Sequence, residues 1–335
     1  MKTYEITEPK GIDSLKLVER PTPKPGPGEV LMRVRATSLN YRDLALIKGG
    51  LARMMKLPLV PVSDGAGEVV ETGPGVAEWK KGDRVAGIFT QGWLFGPPFA
   101  GMYGTALGGG IDGMLAEFVV LKAGGLVRIP DYLNFEEAAT LPCAAVTSWN
   151  ALVTEGRLKP GDSVLVMGTG GVSIFALQFA RMYGARVIAT SSSDAKLERL
   201  RQMGASDLIN YKTTPNWDER VLEITGGAGV DHVVEIGGAG TLPKSINALK
   251  TGGIVSLIGI LSGAGKIDPM PLLFKNARVQ GIMVGSREMF EAMNRAMAVN
   301  SLHPVIDRVF PFNQAPDAYR HLESGAHFGK VCIAV

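Results

Sequence analysis

The sequence has few of the residues that build metal centres. It contains two cysteines and four histidines in 335 residues: Cys143, Cys332, His232, His303, His321 and His327. A catalytic zinc ion needs about three nitrogen, sulfur or carboxylate ligands, and a structural zinc ion needs four. The last three histidines lack ligand-like spacing with one another or with cysteine, so core or surface roles are the default for them. No metal site is predicted.

Long apolar runs are also missing. Apolar stretches such as Ile254 to Leu261 are far shorter than the roughly 18 residues that a membrane-spanning helix needs. The N-terminus lacks the pattern of a secretory signal peptide. We therefore expect no membrane partner and a cytoplasmic location.

Neither sign of charge dominates. The chain has 35 basic and 32 acidic residues, a formal net charge of +3, and its longest basic clusters are pairs such as Lys80-Lys81. A nucleic-acid or membrane footprint needs a denser basic cluster. The charge pattern therefore predicts no nucleic-acid partner.

Glycine, in contrast, is abundant. With 43 glycines, 46% apolar residues and 20% charged residues, the composition indicates a globular chain with many tight turns. A length of 335 residues accommodates two domains, each with its own core. We predict one domain over 1–125, completed by 301–335, and a second over 126–300.

The first third of the chain shows β-type alternation. Met32, Val34 and Ala36 alternate with Arg33 and Arg35, which is typical of a strand with one buried face. Further short strands are predicted at Gly65 to Glu71, Asp83 to Phe89, Ala116 to Leu121 and Gly125 to Ile129. The glycine-rich segment Gly92 to Gly110, with Trp93, Phe95, Phe99 and Tyr103, is predicted to be a long loop that walls an apolar pocket or is simply mobile.

From about residue 160, apolar strands alternate with amphipathic helices. Helices are predicted at Ile174 to Tyr183 and Ala195 to Met203, and strands at Ser163 to Met167, Arg186 to Thr190, Leu208 to Asn210, His232 to Ile236, Ile254 to Ile258 and Val279 to Val284. This alternation predicts an α/β fold with a doubly wound parallel sheet. The last 35 residues lose the rhythm at Pro304, Pro311 and Pro316. We expect short pieces there that rejoin the N-terminal β domain through Lys330 to Val335.

A glycine-rich turn follows the first of these strands. The run Gly168-Thr169-Gly170-Gly171-Val172-Ser173 separates that strand from a helix. Glycines permit a tight turn and close approach to a pyrophosphate, and the helix N-terminus supplies amide donors. The strand, turn and helix in this order predict a Rossmann dinucleotide-binding domain. Ser173 stands where glycine or alanine is usual, a small residue that still permits close packing.

The end of the second strand indicates which dinucleotide is bound. NAD-binding domains carry an acidic residue there for the ribose 2′-hydroxyl, whereas this strand runs into Ser191-Ser192-Ser193. Serine hydroxyls can donate to a 2′-phosphate, and Lys196 in the next helix can neutralise it, so NADPH is predicted. Asp194 is assigned to the helix N-cap. An ordinary serine-rich loop is the alternative.

Several short segments occur in the chain in a characteristic order. They are Pro27-Gly28-Glu29-Val30, Asn40-Tyr41-Arg42-Asp43, Asp64-Gly65-Ala66-Gly67-Glu68-Val69-Val70, Gly82-Asp83-Arg84-Val85, Thr140-Leu141-Pro142-Cys143, the glycine-rich turn and Gly329-Lys330-Val331. Through these segments the chain resembles the medium-chain dehydrogenase/reductase superfamily over nearly its whole length. The resemblance implies a GroES-like β domain, a Rossmann domain, a site between them and commonly a homodimer.

The sequence departs from the zinc-dependent members of that superfamily. At the positions that match their catalytic ligands it has Asn40, Ser63 beside Asp64, and Cys143. The region after Phe89, which matches their four-cysteine lobe, has no cysteine. The chain therefore resembles the zinc-independent quinone oxidoreductases and enoyl reductases. Cys143 is interpreted as an apolar cleft residue, with a reactive thiol as the alternative.

The resemblance also assigns cofactor residues outside the turn. It places Thr147, Ser191, Lys196 and Tyr211 at the cofactor, with Lys196 and Tyr211 near the 2′-phosphate, and Gly259 near the nicotinamide. Together with the turn and Ser192, these residues form the predicted cofactor site. A solvated helix position for Lys196 and simple packing for Tyr211 are the alternatives.

Without a Lewis acid, a simple ketone is a difficult acceptor, whereas a conjugated carbonyl or quinone spreads charge into an enolate. We therefore predict NADPH-dependent hydride transfer to a small electrophile, with Asn40 and Tyr41 as the catalytic residues. Asn40 would position the nicotinamide ribose or the substrate, and the Tyr41 hydroxyl or solvent would assist protonation. A zinc-free alcohol or carbonyl dehydrogenase and an NADPH-binding sensor or structural protein with little catalysis are the alternatives.

Overall fold

A computed structural model describes residues 1–50, 55–263 and 265–335. In these residues the strands are β1 to β15: Lys2–Ile6, Leu15–Glu19, Glu29–Leu39, Asp64–Thr72, Arg84–Gly87, Phe118–Lys122, Leu126–Arg128, Ser163–Met167, Arg186–Ser191, Asp207–Asn210, Val230–Glu235, Leu249–Leu257, Arg278–Gly281, Ile306–Pro311 and Lys330–Ala334. The α-helices are α1 to α10: Tyr41–Ile47, Phe135–Ala139, Val146–Trp149, Gly171–Met182, Asp194–Gln202, Trp217–Ile224, Leu242–Ala248, Met270–Phe274, Arg287–Val299 and Ala315–Glu323. Turns of π-helix at Leu141–Ala145 and Asn150–Thr154 flank α3.

The chain forms two compact units. The first contains Met1–Val146 and Val284–Val335, and the second contains Thr147–Met283. The sequence prediction placed these boundaries at 125/126 and 300/301, about 20 residues away from the observed ones. The first sheet accounts for the difference, because β7 pairs with β5 and Asn294 of α9 donates from Nδ2 to the Arg128 carbonyl at 3.2 Å.

The first unit is built on a sheet in the order β14-β15-β3-β4-β5-β7, with β6 also paired to β3. Its apolar side chains alternate as the sequence predicts, and Val30, Met32 and Val34 of β3 are buried. The C-terminal strand β15 pairs antiparallel with β3, with Val331 opposite Leu39. The expected return of the tail to this domain is therefore confirmed.

The tail is more regular than its prolines suggest. Helix α10 begins at Ala315, and Pro316 occupies its first turn, where a missing amide proton costs no helical hydrogen bond. Its buried face contributes Ala318, Tyr319 and Leu322 to the core of the first unit. The elements of the tail are short, as expected, and one of them is a helix because proline ends helices in the interior but is favoured at the start.

The second unit contains a six-stranded parallel sheet in the order β10-β9-β8-β11-β12-β13. The chain runs outward from β8 in one direction and then from β11 in the other, so the order reverses between these two strands. A doubly wound sheet binds its ligand at the carboxyl ends of the strands beside such a reversal. The predicted parallel sheet is thus confirmed, and it directs attention to the ends of β8, β9 and β11.

Among the described residues, none of the helices has both the length and the apolar character needed to cross a bilayer.

Candidate active site

The glycine-rich turn lies between β8 and α4. Gly168 has a φ of +73°, which favours glycine, and its amide donates to the Thr190 carbonyl at 2.8 Å. Gly170 is the N-cap of α4, which begins at Gly171. The first amides of this helix are therefore presented beside the strand reversal, where they can donate to a phosphate.

Ser173 connects the start of α4 to the strand before the turn by a hydrogen bond. Its hydroxyl donates to the Met167 carbonyl at 2.5 Å, and the residue is 1% exposed. A serine at this point in the fingerprint thus packs closely and also satisfies a carbonyl at the end of β8. Thr147 belongs to the same region, because the next residue, Ser148, donates its hydroxyl to the Val172 carbonyl at 2.8 Å.

The serine run and Tyr211 converge at the ends of two neighbouring strands. β9 and β10 are paired with Ser191 opposite Asn210, and the Tyr211 amide donates to the Ser191 carbonyl at 3.1 Å. Ser191 is buried, Ser192 is partly exposed and Tyr211 is exposed. Lys196 lies in the first turn of α5, directly after the serines. The structure therefore brings together the four residues assigned to the adenosine end of the cofactor.

The helix cap beside this group differs from the prediction. Ser193 is the N-cap of α5, and its hydroxyl accepts from the Lys196 amide at 3.4 Å. Asp194 is the first helical residue, and its Oδ1 accepts from Asn210 Nδ2 at 2.6 Å. The assignment of Asp194 to the cap was wrong because serine fills that position one residue earlier. The Asp194 carboxylate is instead occupied by the Asn210 amide.

Gly259 lies where two chain segments approach closely. A Cβ atom at this position would be 1.9 Å from the Ile236 carbonyl oxygen, so no larger residue fits. The Gly259 amide donates to the Glu235 carbonyl at 3.2 Å. This close approach holds the segment after β12 against the end of β11.

Glu235 is a site residue that the sequence analysis missed. It ends β11 with no exposed surface, and its Oε1 accepts from the amides of Gly237 and Gly238 at 2.6 and 3.0 Å and from the Thr241 hydroxyl at 2.7 Å. Its other oxygen accepts from Ser245. A buried carboxyl group that accepts from four donors stabilises the loop beyond β11. The signal available in the sequence was the glycine pair Gly237-Gly238 shortly after the glutamate.

The predicted catalytic residues lie in the first unit, at the start of α1. Asn40 is the N-cap, and Tyr41 is the first helical residue. Asp43 is buried, and its carboxylate accepts from the backbone amide of Asn40 at 2.8 Å. This hydrogen bond fixes the backbone of the turn. The Tyr41 side chain is 57% exposed, so its hydroxyl is accessible to a proton acceptor.

Two buried carboxylates lie near Asn40. Burial raises the pKa of Asp43 to about 6, while neighbouring Arg42 opposes this shift. Burial also raises the pKa of Asp64, and Lys330 is the largest opposing influence. Asp64 Oδ1 accepts from the Ser63 hydroxyl at 2.7 Å, and its Oδ2 accepts from the Cys143 amide at 3.1 Å.

Lys330 supplies a buried cation to the same cluster. Its residue surface is 3% exposed, and Nζ donates to the Leu39 carbonyl and to Asn40 Oδ1, both at 2.6 Å. Asn40 Nδ2 is buried without a hydrogen-bond partner in the part of the chain that the structure describes. The Asn40 amide still helps to lower the pKa of Asp64, so Nδ2 lies toward that carboxylate without making a regular hydrogen bond.

This set of donors is poorly suited to zinc. Burial, followed by the Asp64 charge, raises the pKa of the Cys143 thiol far above its usual range, whereas a zinc ligand is a thiolate. Asn40 and Ser63 offer a neutral amide and hydroxyl, which are not among the usual zinc ligands. In the described residues, no three or more of His, Cys, Asp and Glu are grouped so as to hold a metal ion.

The aromatic residues of the segment after Phe89 separate into two groups. Trp93 is 2% exposed, and its Nε1 donates to the Gly96 carbonyl at 2.9 Å. Phe95, Phe99 and Tyr103 are exposed. Trp93 is therefore a core residue rather than a pocket wall, and the other three remain candidates for contact with an apolar ligand.

Two family models match the chain. The model described as alcohol dehydrogenase GroES-like domain matches residues 26–131, and the model described as zinc-binding dehydrogenase matches residues 171–298. Among curated relatives, a zinc-type alcohol dehydrogenase-like protein of Schizosaccharomyces pombe is 47% identical over 98% of this chain and 97% of its own. The quinone oxidoreductase of Homo sapiens is 28% identical over 97% of this chain and 95% of its own.

Solved structures also resemble this chain over its whole length. A NAD-dependent alcohol dehydrogenase has a TM-score of 0.91 at 34% identity, covering 100% of both chains. A mycobacterial protein solved with NADPH has a TM-score of 0.86 at 28% identity, again covering 100% of both chains.

A GroES-like domain and a nicotinamide-binding parallel sheet together define a class of two-domain oxidoreductases. The chain belongs to the medium-chain dehydrogenase/reductase superfamily, which confirms the resemblance drawn from the sequence.

Proposed function

We propose that this oxidoreductase uses NADPH, without zinc, to reduce a small conjugated carbonyl compound or quinone. The observation that carries the proposal is the composition of the buried cluster in the first unit. Positions that match zinc ligands hold the Asn40 amide and a neutral Cys143 thiol, and the charge of Asp64 is balanced by Lys330. Such a cluster suits a reaction whose developing oxyanion is stabilised by hydrogen bonds alone.

NADPH is favoured by the ends of β9 and β10. Ser191, Ser192 and Lys196 offer donors and a positive charge for a 2′-phosphate, and the carboxylate of Asp194, which follows the serine run, accepts a hydrogen bond from Asn210. The mycobacterial neighbour was solved with NADPH, whereas another neighbour is NAD-dependent. The cofactor residues of the second unit would be the glycine-rich turn for the pyrophosphate, Tyr211 near the 2′-phosphate and Gly259 near the nicotinamide, with Thr147 also at the cofactor.

The cofactor, when bound, supplies a hydride from its nicotinamide ring. Asn40 is the proposed donor to the substrate oxygen or to the nicotinamide ribose, because its Oδ1 is held by Lys330 and its Nδ2, which lies toward Asp64, makes no regular hydrogen bond within the described residues. The exposed Tyr41 hydroxyl, or solvent, is the proposed proton source for the product.

Replacing Tyr41 with Phe should slow turnover and leave NADPH affinity unchanged. An unchanged rate would remove Tyr41 from the mechanism.

The test is NADPH consumption by chelator-treated protein with quinones, enones, enals and simple ketones. Oxidation with conjugated acceptors is the expected result. Turnover that is restricted to simple carbonyls or lost on chelation would overturn the proposal. Tight NADPH binding without turnover across the panel would indicate a binding protein instead.

Cofactor choice is tested separately through Lys196. Lys196→Glu should raise the KM for NADPH about 10-fold or more relative to that for NADH, because a charge-assisted bond to the phosphate is replaced by repulsion. Lys159→Glu, which precedes the amino end of β8, is the matched control and should change neither constant. A wild-type preference for NADH would contradict this assignment.

A zinc-free alcohol dehydrogenase is the second candidate. It is favoured by the names of the relative from S. pombe and of the NAD-dependent structural neighbour. Oxidation of simple alcohols with NADP⁺, faster than reduction of any conjugated acceptor, would decide for it.

We also propose that the protein is cytoplasmic and forms a homodimer.

A further inference from the structure

We propose that Glu235 is a positioning residue for the nicotinamide end of the cofactor, because it holds the loops that follow β11 and β12 in one fixed arrangement. We call residues 236–241 the β11 loop and residues 258–262 the β12 loop. This inference rests on the proposed function, since that function places Gly259, in the β12 loop, near the nicotinamide.

The two loops lie at the edge of the sheet where a ligand is expected. β11 and β12 are parallel neighbours, with Glu235 opposite Leu257. β11 also pairs with β8, and the order of the strands reverses between these two. A doubly wound sheet binds its ligand outside the carboxyl ends of the strands at such a reversal. The shape of the two loops therefore helps to determine how a ligand lies there.

The carboxyl group of Glu235 holds the β11 loop at both ends. One oxygen accepts from the amides of Gly237 and Gly238 at 2.6 and 3.0 Å and from the Thr241 hydroxyl at 2.7 Å. The other oxygen accepts from Ser245 of α7. A single side chain thus joins the start of the loop to its last residue and to the helix that follows.

The β11 loop in turn holds the β12 loop. The Glu235 carbonyl accepts from the Gly259 amide at 3.2 Å. The Gly237 carbonyl accepts from both the amide and the hydroxyl of Ser262, each at 2.8 Å, and the Ser262 hydroxyl accepts from the Gly240 amide at 2.7 Å. A displacement of Gly237 therefore moves the β12 loop as well.

The two loops also pack too closely to move independently. Gly238 has a φ of +89°, and a Cβ atom there would be 2.9 Å from the Ile260 Cα. A Cβ atom at Gly259 would overlap the Ile236 carbonyl oxygen. Closely packed segments transmit a displacement from one to the other. Since Glu235 has no exposed surface, it acts on a ligand only through these loops.

The experiment compares binding of NADPH with binding of 2′-phospho-ADP-ribose, which lacks the nicotinamide ring. Glu235→Ala removes the carboxyl group and lets both loops shift. It should weaken NADPH binding about 10-fold and leave the dissociation constant of the fragment within about twofold of the wild-type value. With a conjugated acceptor, kcat should fall about 100-fold, as expected when a reactant is misplaced by about 1 Å.

Two variants separate positioning from folding. Glu235→Gln keeps an oxygen that can accept from the loop amides, so it should recover most of the lost affinity and kcat. Thr241→Val removes one donor to Glu235 with little change of shape. It should weaken NADPH binding about threefold by itself and have no effect in the Glu235→Ala background. If Glu235→Ala does not fold, the selective loss of NADPH affinity in Thr241→Val decides the question.

Asp231→Asn is the matched control. It makes the same acid-to-amide change as Glu235→Gln but near the amino end of β11, where Asp231 accepts from the Ser163 hydroxyl at 2.7 Å. It should lower the urea midpoint without changing the ratio of the two dissociation constants.

The outcomes distinguish this inference from the proposed function. A wild-type protein that binds NADPH but reduces no conjugated acceptor defeats the proposed function, and the two dissociation constants still test Glu235. Equal weakening of both ligands in Glu235→Ala, or of neither, would overturn the role of Glu235. A changed ratio in Asp231→Asn would do the same, as would a wild-type protein that binds NADPH no more tightly than the fragment. If the wild type prefers NADH, the comparison is made with NADH and ADP-ribose.

Discussion

At the scale of single residues, Asp43 links stability to pH. Burial raises its pKa from 3.8 to about 6 in the folded protein, so between these values the folded state holds a proton that the unfolded state has released. Stability is therefore lost as pH rises through this window, by about 3 kcal/mol for one group. The free energy of unfolding of Asp43→Asn, relative to wild type, should increase by about this amount between pH 4 and pH 7.

The comparison is made by urea unfolding at several pH values. Asp83→Asn is a control of opposite sign, because Arg128 lowers the pKa of Asp83, and removing that carboxyl should cost more stability as pH rises. A difference between wild type and Asp43→Asn that does not change with pH would contradict the prediction.

Gly259 makes a second prediction at this scale. A methyl group would collide with the Ile236 carbonyl oxygen, and the backbone must move to admit it. Gly259→Ala should lower the free energy of unfolding by about 3 kcal/mol or more. Gly281→Ala is the matched control, since nothing lies within 4 Å of its Cβ position, and it should change stability by about 1 kcal/mol at most. Equal unfolding midpoints for the two variants would show that the segment relaxes without cost.

At the scale of elements, the turn between β8 and α4 contains a glycine whose substitution should weaken NADPH binding without lowering the stability of the protein. Gly170 has a φ of −75°, and a Cβ there meets no atom within 4 Å. Gly170→Ala should therefore fold with wild-type stability, to within about 1 kcal/mol, while its methyl group hinders approach of the pyrophosphate and weakens NADPH binding about 10-fold or more. Titration of nucleotide fluorescence and urea unfolding of the same variant test both halves. Unchanged NADPH affinity would remove Gly170 from the phosphate site.

Elements defined by local periodicity were predictable from the sequence. The strands of the second unit and helices α4 and α5 were found near their observed bounds, because apolar runs of strand length alternate there with helical spacing. The β1-β2 pair and helix α9 were not predicted. The β1-β2 pair has no short turn that would signal a hairpin, and α9 packs on a sheet whose strands lie far earlier in the chain. Both depend on contacts that local sequence patterns do not show.

The candidate site was predictable only where one segment carries it. The glycine-rich turn and the serine run are continuous in sequence, and the structure brings Tyr211 to that run as expected. The contact between Asn40 and Lys330 joins residues separated by 290 positions. The burial of Glu235 similarly depends on a loop and helix that follow it, so its role was visible only in three dimensions.

At the scale of the whole molecule, we expect the proposed homodimer to form through the outer edge of β13 and helix α8. β13 ends the six-stranded sheet and pairs on one side only within the described residues. Leu273 and Phe274 on the neighbouring α8 are 71% and 76% exposed. Pairing of two such edges would cover both the strand and the apolar side chains. The double variant Leu273→Asp/Phe274→Asp should weaken a homodimer about 100-fold or more.

Sedimentation velocity over a range of concentrations measures this effect. Val299→Asp, which changes an even more exposed apolar residue at the end of α9, should sediment like wild type. The idea would fail if the wild-type chain sedimented as a monomer at all concentrations, or if both substitutions had the same effect.

The position of β15 sets the order in which this chain can mature during synthesis. The second unit is continuous from 147 to 283 and can fold while the ribosome is still translating the rest. The edge of β3 that β15 covers stays open until Lys330–Ala334 emerge, so nascent chains display an unpaired strand that invites wrong partners. Lys330, which donates to Asn40 and lowers the pKa of Asp64, is part of the same strand. A chain that stalls shortly before this point would therefore carry a folded second unit and an incomplete first unit, in which the proposed catalytic cluster lacks Lys330.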